Sequence, residues 1–197
     1  MILIKKILFI FIFSLLITSA CDTKDKQQVS EEIKAELRTN AKNFLDTLKS
    51  ILISKIQEDG IVGAVAVCSD TAQSFTKEYG ENKGLIVKRV SLKNRNPNNY
   101  PDSYEENVLK SFQHLVESNP NSKNFEHFEL VNRNSHRVVR YLKPIFIQAE
   151  CLNCHGSREQ MIKEVQEIIK SRYPDDRAIN YKIGDLRGAI SIQKEIK

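Results

Sequence analysis

The chain has 197 residues, with 30 Lys and Arg against 25 Asp and Glu, a formal net charge of +5 and 41% hydrophobic residues. That composition belongs to one globular domain with room for a core, and excludes collagen-like and disordered chains. No basic run interleaved with aromatics occurs, which argues against nucleic acid as a partner.

Lys5 and Lys6 precede an apolar run from Ile7 to Ile17, and the small residues Ser19 and Ala20 lead into Cys21. This is the layout of an export signal. The run is shorter than the roughly 20 apolar residues that a bilayer span needs. Leu16-Ile17-Thr18-Ser19-Ala20-Cys21 resembles a bacterial lipobox, in which Cys21 becomes the acylated first residue of the mature protein; Thr18 departs from it, a larger aliphatic residue being usual there. An ordinary cleaved signal that leaves Cys21 a bare thiol is the alternative. Residues 1–20 thus read as a lipoprotein signal peptide and 21–30 as a polar tether. Residues 31–197 read as one domain on the periplasmic side of a bacterial membrane, held there by the lipid anchor.

A long first helix is predicted from Ser30, with Glu31 and Glu32 favoured in its first turn and Ile33, Leu37, Ala41, Phe44, Leu48 and Ile51 on one face. Asp59-Gly60 breaks it. A second helix carries Ile61, Val65, Cys68, Ala72, Phe75 and Tyr79 at spacings of four and three, one face turned to a core. Periodicity alone reads Cys68 as a buried core cysteine that behaves as a small hydrophobe.

Leu85 to Leu92 reads as a strand, followed by a loop from Lys93 to Asn99. Ser103 with Glu106 forms a predicted capping box for a helix through about Ser118. Two antiparallel strands follow, Phe125 to Val131 and Arg137 to Ile147, joined by the turn Asn132-Arg133-Asn134-Ser135. Ser157 with Gln160 is predicted to cap a helix to about Tyr173. Asp175 and Asp176 resemble a paired-carboxylate site, but beside Pro174 a turn is the simpler account. Leu186, Gly188, Ile190 and Ile192 alternate as a last strand. Helices first and an antiparallel sheet after imply an α+β domain, without internal repeat.

The chemistry lies in Cys151-Leu152-Asn153-Cys154-His155, because C-x-x-C-H is the attachment site of a c-type haem. Two thiols three positions apart each add across a vinyl group, and the adjacent histidine reaches the iron. One haem c, covalent through Cys151 and Cys154 and ligated by His155, is therefore expected, together with the machinery that attaches it. Covalent haem ligation in bacteria occurs outside the cytoplasm, in keeping with the export signal. A redox disulfide is a rival, but the βαβ context of a thioredoxin-like motif is missing. A zinc site of Cys151, Cys154, His155 and Cys68 is another, in which the adjacent Cys154 and His155 would awkwardly share one small ion. Further candidates for a sixth iron ligand are His114, His127, His136 and Met161. A lone histidine is more often a hydrogen-bonded residue than a ligand. Met161 begins an apolar face with Val165 and Ile168.

Ala66-Val67-Cys68, Arg89 to Asn99, Tyr104-Glu105, Cys151 to Gly156, Tyr173-Pro174-Asp175-Asp176 and Gly184 to Ala189 together resemble the periplasmic c-type haem domains of a PAS-like sensor family long catalogued only as a domain of unknown function. The resemblance runs from roughly Ile33 to Ile196. It implies a PAS-like antiparallel sheet with flanking helices and a long N-terminal helix. It also implies that His155 and Cys68 ligate the iron from opposite sides, Cys68 as a thiolate. Arg89 and Arg95 become candidates for pairing with the haem propionates, solvated loop charges being the alternative.

Ferric iron stabilises a bound thiolate and ferrous iron holds it less tightly, so reduction would free a position for nitric oxide or carbon monoxide. The expected function is a redox or small-gas sensor, with an electron-transfer cytochrome of the periplasm as the alternative. No output domain follows Lys197, so a sensor needs a separate signalling or redox partner. No convincing acid–base set supports an enzyme.

Overall fold

The computed structural model describes residues 28–66, 71–133 and 136–196. Helix α1 (Glu31–Ala66) buries Leu37, Ala41 and Phe44, with Ile33 and Leu48 packed beside them, along the face that the sequence predicts. Gly60 interrupts it with φ 70° and ψ −177°, a conformation that side chains other than glycine's resist. Helix α2 (Ala72–Lys83) stops at Gly84 in the left-handed region.

The face predicted to run from Ile61 to Tyr79 is divided between two cores. Phe75 and Tyr79 stand 5.3 and 5.4 Å from the Phe44 ring, over the sheet. Ile61 and Val65 instead pack on Met161, Val165 and Ile169. The break at Gly60 redirects the last turns of α1 to this second cluster.

Strands β1 (Ile86–Val90), β2 (His127–Arg133), β3 (His136–Phe146) and β4 (Leu186–Ile196) form one antiparallel sheet in the order β1-β4-β3-β2. The last strand is thus central and is covered on both sides. Ile190 and Ile192, with Val87, Val139 and Tyr141, lie under α1 and α2. Ala189, Val90 and Leu142 meet Leu109 and Phe112 of α3 (Ser103–Ser118) on the other face. This two-sided cover explains why β4 is buried almost continuously where the sequence alternation suggested one wet face.

Three boundaries differ from the sequence reading. Asp102, not Ser103, caps α3: its carboxylate accepts from Glu105 N at 2.8 Å, and Glu105 reaches back to Asp102 N at 2.8 Å. Aspartate brings a formal charge to the helix N-terminus, and Glu105 is stabilised there by Lys88 at 2.8 Å. Asn132 and Arg133 belong to β2, because pairing continues through Arg133 and His136. Helix α5 (Lys163–Arg172) begins later than predicted. The Gln160 side chain does accept from Ser157 N, at 2.8 Å, but closes a separate turn that drops Met161 into the core.

Gly188 marks the closest approach between β1 and β4. A Cβ there would lie 2.2 Å from Val90 O, a backbone atom that can yield only by separating the strands. Gly188→Ala is expected to cost about 2 kcal/mol or more by overpacking. At roughly 2–4 °C per kcal/mol for a chain of this size, that is a fall in Tm of several degrees by thermal denaturation. An unchanged Tm would show that β1 gives way freely.

Candidate functional site

The C-x-x-C-H segment begins where β3 ends. Ile147 N donates to Asp185 O at 3.0 Å and Gly184 N to Ile147 O at 2.9 Å, which pins the end of β3 to the turn before β4. A 3-10 turn (Ala149–Cys151) then runs into α4 (Leu152–His155), a single helical turn. Lys49 of α1 holds the entrance, its Nζ 2.5 Å from Gln148 Oε1 and 2.7 Å from Glu150 Oε1. Cys151 and Cys154 are half-buried thiols, not a disulfide. Cys151 packs with Leu152 on Ile147, Ala178 and Tyr181, whereas Cys154 joins the cluster of Val65, Met161, Val165 and Ile169. The two sulfurs therefore belong to two separate apolar walls.

His155 directly follows Cys154 in sequence and is fixed by the loop that precedes β4. Its Nδ1 lies 2.8 Å from Ala178 O. A carbonyl only accepts, so Nδ1 carries the hydrogen and Nε2 keeps its lone pair. The backbone repeats the link: Tyr181 N donates to His155 O and Asn180 N to Gly156 O, both at 3.0 Å. The Tyr181 ring meets the imidazole edge-on at 6.2 Å. Burial, and then the positive charges of Arg187 and Arg95, hold the His155 pKa well below its ordinary value. The imidazole is therefore neutral at physiological pH, the form that binds a metal.

Three cations surround this loop. Arg95 Nη2 donates to Cys154 O at 2.5 Å and to Ala178 O at 3.2 Å, and pairs with Asp176 at 3.1 Å. Arg187 Nη1 donates to Ser91 Oγ at 2.8 Å and to Lys93 O at 3.2 Å. Lys93 donates to Ile179 O at 2.9 Å and lies 4.4 Å over the Tyr181 ring. Asp176 closes the turn expected after Pro174 and accepts from Ala178 N at 2.8 Å. Sequence reasoning singled out Arg95 but not Arg187, Lys93, Tyr181 or Ala178 as parts of this neighbourhood. Lys93 and Arg187 carry the signal of the motif phrases at 89–99 and 184–189, whereas Ala178 and Tyr181 lie outside every phrase.

The other candidates lie elsewhere. His114 pairs with Glu117 on α3, His127 with Glu129 on β2, and His136 with Glu195 across β3 and β4. Met161 is buried in the apolar cluster that also holds Cys154. Arg89 sits on β1 opposite Ile190 and lines a groove with Gln73, Thr76 and Asn99. Cys68 and Cys21, and the signal-peptide and lipobox readings with them, lie outside the described residues. Among the described residues no group of three or more His, Cys, Asp and Glu is gathered as a metal site. None of their helices is long and apolar enough to cross a membrane.

The Tll0287-like family model matches residues 26–194. The chain belongs to the Tll0287-like family. Its fold is similar to that in the crystal structure of the cyanobacterial haem protein Tll0287, with a TM-score of 0.61 and 22% sequence identity over 84% of this chain and 96% of that one. No curated protein matches the sequence.

In this Tll0287-like chain the neutral His155 has a consequence for stability. An unfolded histidine takes up a proton near pH 6.5, while the folded one does so only at lower pH. Between those two values the unfolded state binds more protons, so stability falls as pH drops below about 6.5. Urea denaturation of the thiol form between about pH 7 and pH 5.5 is expected to show a falling midpoint that His155→Gln flattens. The same slope in both proteins would mean that other groups set it.

Proposed function

We propose that this chain is a c-type monohaem protein on the periplasmic side of a bacterial membrane, where it senses redox state or a small gas ligand. The observation that carries this reading is His155: a neutral imidazole gives its Nδ1–H to Ala178 O and keeps Nε2 for a metal, beside two thiols set against apolar walls. Metal-ligating histidines are oriented in this way by a carbonyl or carboxylate on the far nitrogen. The likeness of the fold to that of a protein described as a haem protein supports the same cofactor. Zinc gains no support from the described residues, among which no group of three or more His, Cys, Asp and Glu is gathered.

Cys151 and Cys154 would hold the haem covalently, His155 would bind the iron, and Cys68 would bind it from the opposite side. Ile61 and Val65, in the last turns before Cys68, pack on the cluster that contains Cys154, which supports this pairing. Bound haem would supply a one-electron couple and, when Cys68 lets go, a position for nitric oxide or carbon monoxide. Arg95 is committed to Asp176 and to backbone carbonyls, which argues against the propionate role expected of it from sequence. Attachment needs the haem-ligation machinery, and a separate signalling or redox protein receives the output. We assign no catalytic residues. Lipidation at Cys21 would anchor the domain. The half-exposed position of Cys151 and Cys154 favours electron transfer as a second reading, since it leaves an edge of the cofactor near solvent.

Full-length protein produced with a haem-attachment system is expected to be coloured, to keep its colour in acid acetone and to give a c-type pyridine haemochrome spectrum. Cys151→Ser with Cys154→Ser would abolish this, and Cys21→Ser would move the colour from membranes to the soluble fraction. Colourless wild type overturns the cofactor. In the purified protein, Cys68→Ser is expected to change the ferric ligand field and leave the ferrous one little altered. An identical ferric spectrum in the variant, with reversible redox and no ligand loss, would assign the protein to electron transfer.

A further inference from the structure

Arg95 and Asp176 are both nine-tenths buried, with 10% and 9% of their side-chain surface exposed. A buried arginine and carboxylate normally meet as two parallel hydrogen bonds, the strongest arrangement open to them. Here they do not. Arg95 Nε and Asp176 Oδ2 are buried without a hydrogen-bond partner among the described residues. The guanidinium is instead turned so that a single nitrogen, Nη2, serves the carbonyls of Cys154 and Ala178 while standing 3.1 Å from Asp176. Asp176 in turn spends its other oxygen on Ala178 N. Ala178 is therefore held at both ends of its backbone, and its carbonyl is the acceptor of His155 Nδ1–H.

The Cys154 carbonyl matters equally. It belongs to the last turn of α4, where carbonyls lack helical partners, and a short helix of four residues cannot keep its own end in place. Arg95 thus ties the second thiol's backbone and the histidine's acceptor to one planar group. Asn94 O accepts from Arg177 N at 3.3 Å, which keeps the two loops side by side.

We infer that Arg95, anchored by Asp176, is a positioning residue that fixes the tautomer and ring orientation of His155 by gripping the Cys154 and Ala178 carbonyls. This rests on the reading of His155 as an iron ligand, yet concerns groups of this chain that can be observed with or without haem. Arg95 acts from behind the imidazole, on its Nδ1 side. The role differs from the propionate pairing expected of it from sequence.

The test is nitrogen-15 spectroscopy of histidine-labelled protein in its haem-free form, because iron on Nε2 would by itself keep the proton on Nδ1. Wild type is expected to show His155 as one Nδ1–H tautomer with slow solvent exchange. Arg95→Met should mix the tautomers and speed exchange at least tenfold, Arg95→Lys should restore most of the protection, and Asp176→Asn should fall between. In the coloured ferric protein, Arg95→Met should broaden or split the paramagnetic resonance signal through several ring orientations, and Arg95→Lys should return it to one. A single tautomer with unchanged exchange in Arg95→Met, or in Asp176→Asn if the first variant does not accumulate, would reduce Arg95 to a tie between loops. Colourless wild type would instead sink the haem reading and leave the tautomer measurement to decide the role of Arg95.

Discussion

The hydrogen bond from His155 Nδ1 to the Ala178 carbonyl is the contact on which the site depends. It joins the end of a one-turn helix to a loop 23 residues later, and it decides which imidazole nitrogen keeps its lone pair. Burial removes the proton that would otherwise occupy that nitrogen, and two nearby guanidiniums reinforce the effect. Neutrality and aim are thereby set before any cofactor arrives. A histidine with the same neighbours in sequence, but no acceptor behind it, would rotate and share its tautomers.

Most of the fold serves to bring that acceptor to the motif. The motif leaves the end of β3, and the loop from Asp176 to Tyr181 enters β4, which pairs with β3 along nearly its whole length. The two ends are therefore adjacent by antiparallel register. Gly188 lets β1 come close enough to β4 for Ser91 Oγ to donate to Arg187 O and accept from its guanidinium. Over the sheet, Phe44, Phe75 and Tyr79 hold α1 and α2 in place. Lys49 on the same long helix then reaches the entrance of the motif.

The division of the apolar packing bears on the proposed sensing. Cys151 packs with the β4-proximal loop and Cys154 with α5 and the last turns of α1. A covalent cofactor at these two thiols would bridge a wall fixed to the sheet and a wall that includes the chain leading to Cys68. Movement of that chain would then be felt at the Cys154 wall and not at the sheet. This is the physical argument behind the proposed switch.

Features set by neighbouring residues could be read without a structure. The C-x-x-C-H spacing is local chemistry. The helical face through Leu37, Ala41 and Phe44 and the break at Gly60 follow from period and backbone freedom alone. Helix caps were legible only to within a residue or two, because Asp102 and Ser103 are both competent and the choice falls to charge pairing with Lys88 and Arg140. The burial of β4 on both faces had no local signal, since it reflects strand order. The roles of Arg95, Ala178 and Tyr181 belong wholly to tertiary structure. Every residue carries a backbone carbonyl, so nothing in the letters marks the two that Arg95 grips across 59 and 83 residues of chain. The sequence alone determined which atoms can do chemistry; only the folded chain decided which nitrogen of His155 is left to do it, because that choice is made by an acceptor that no motif encodes.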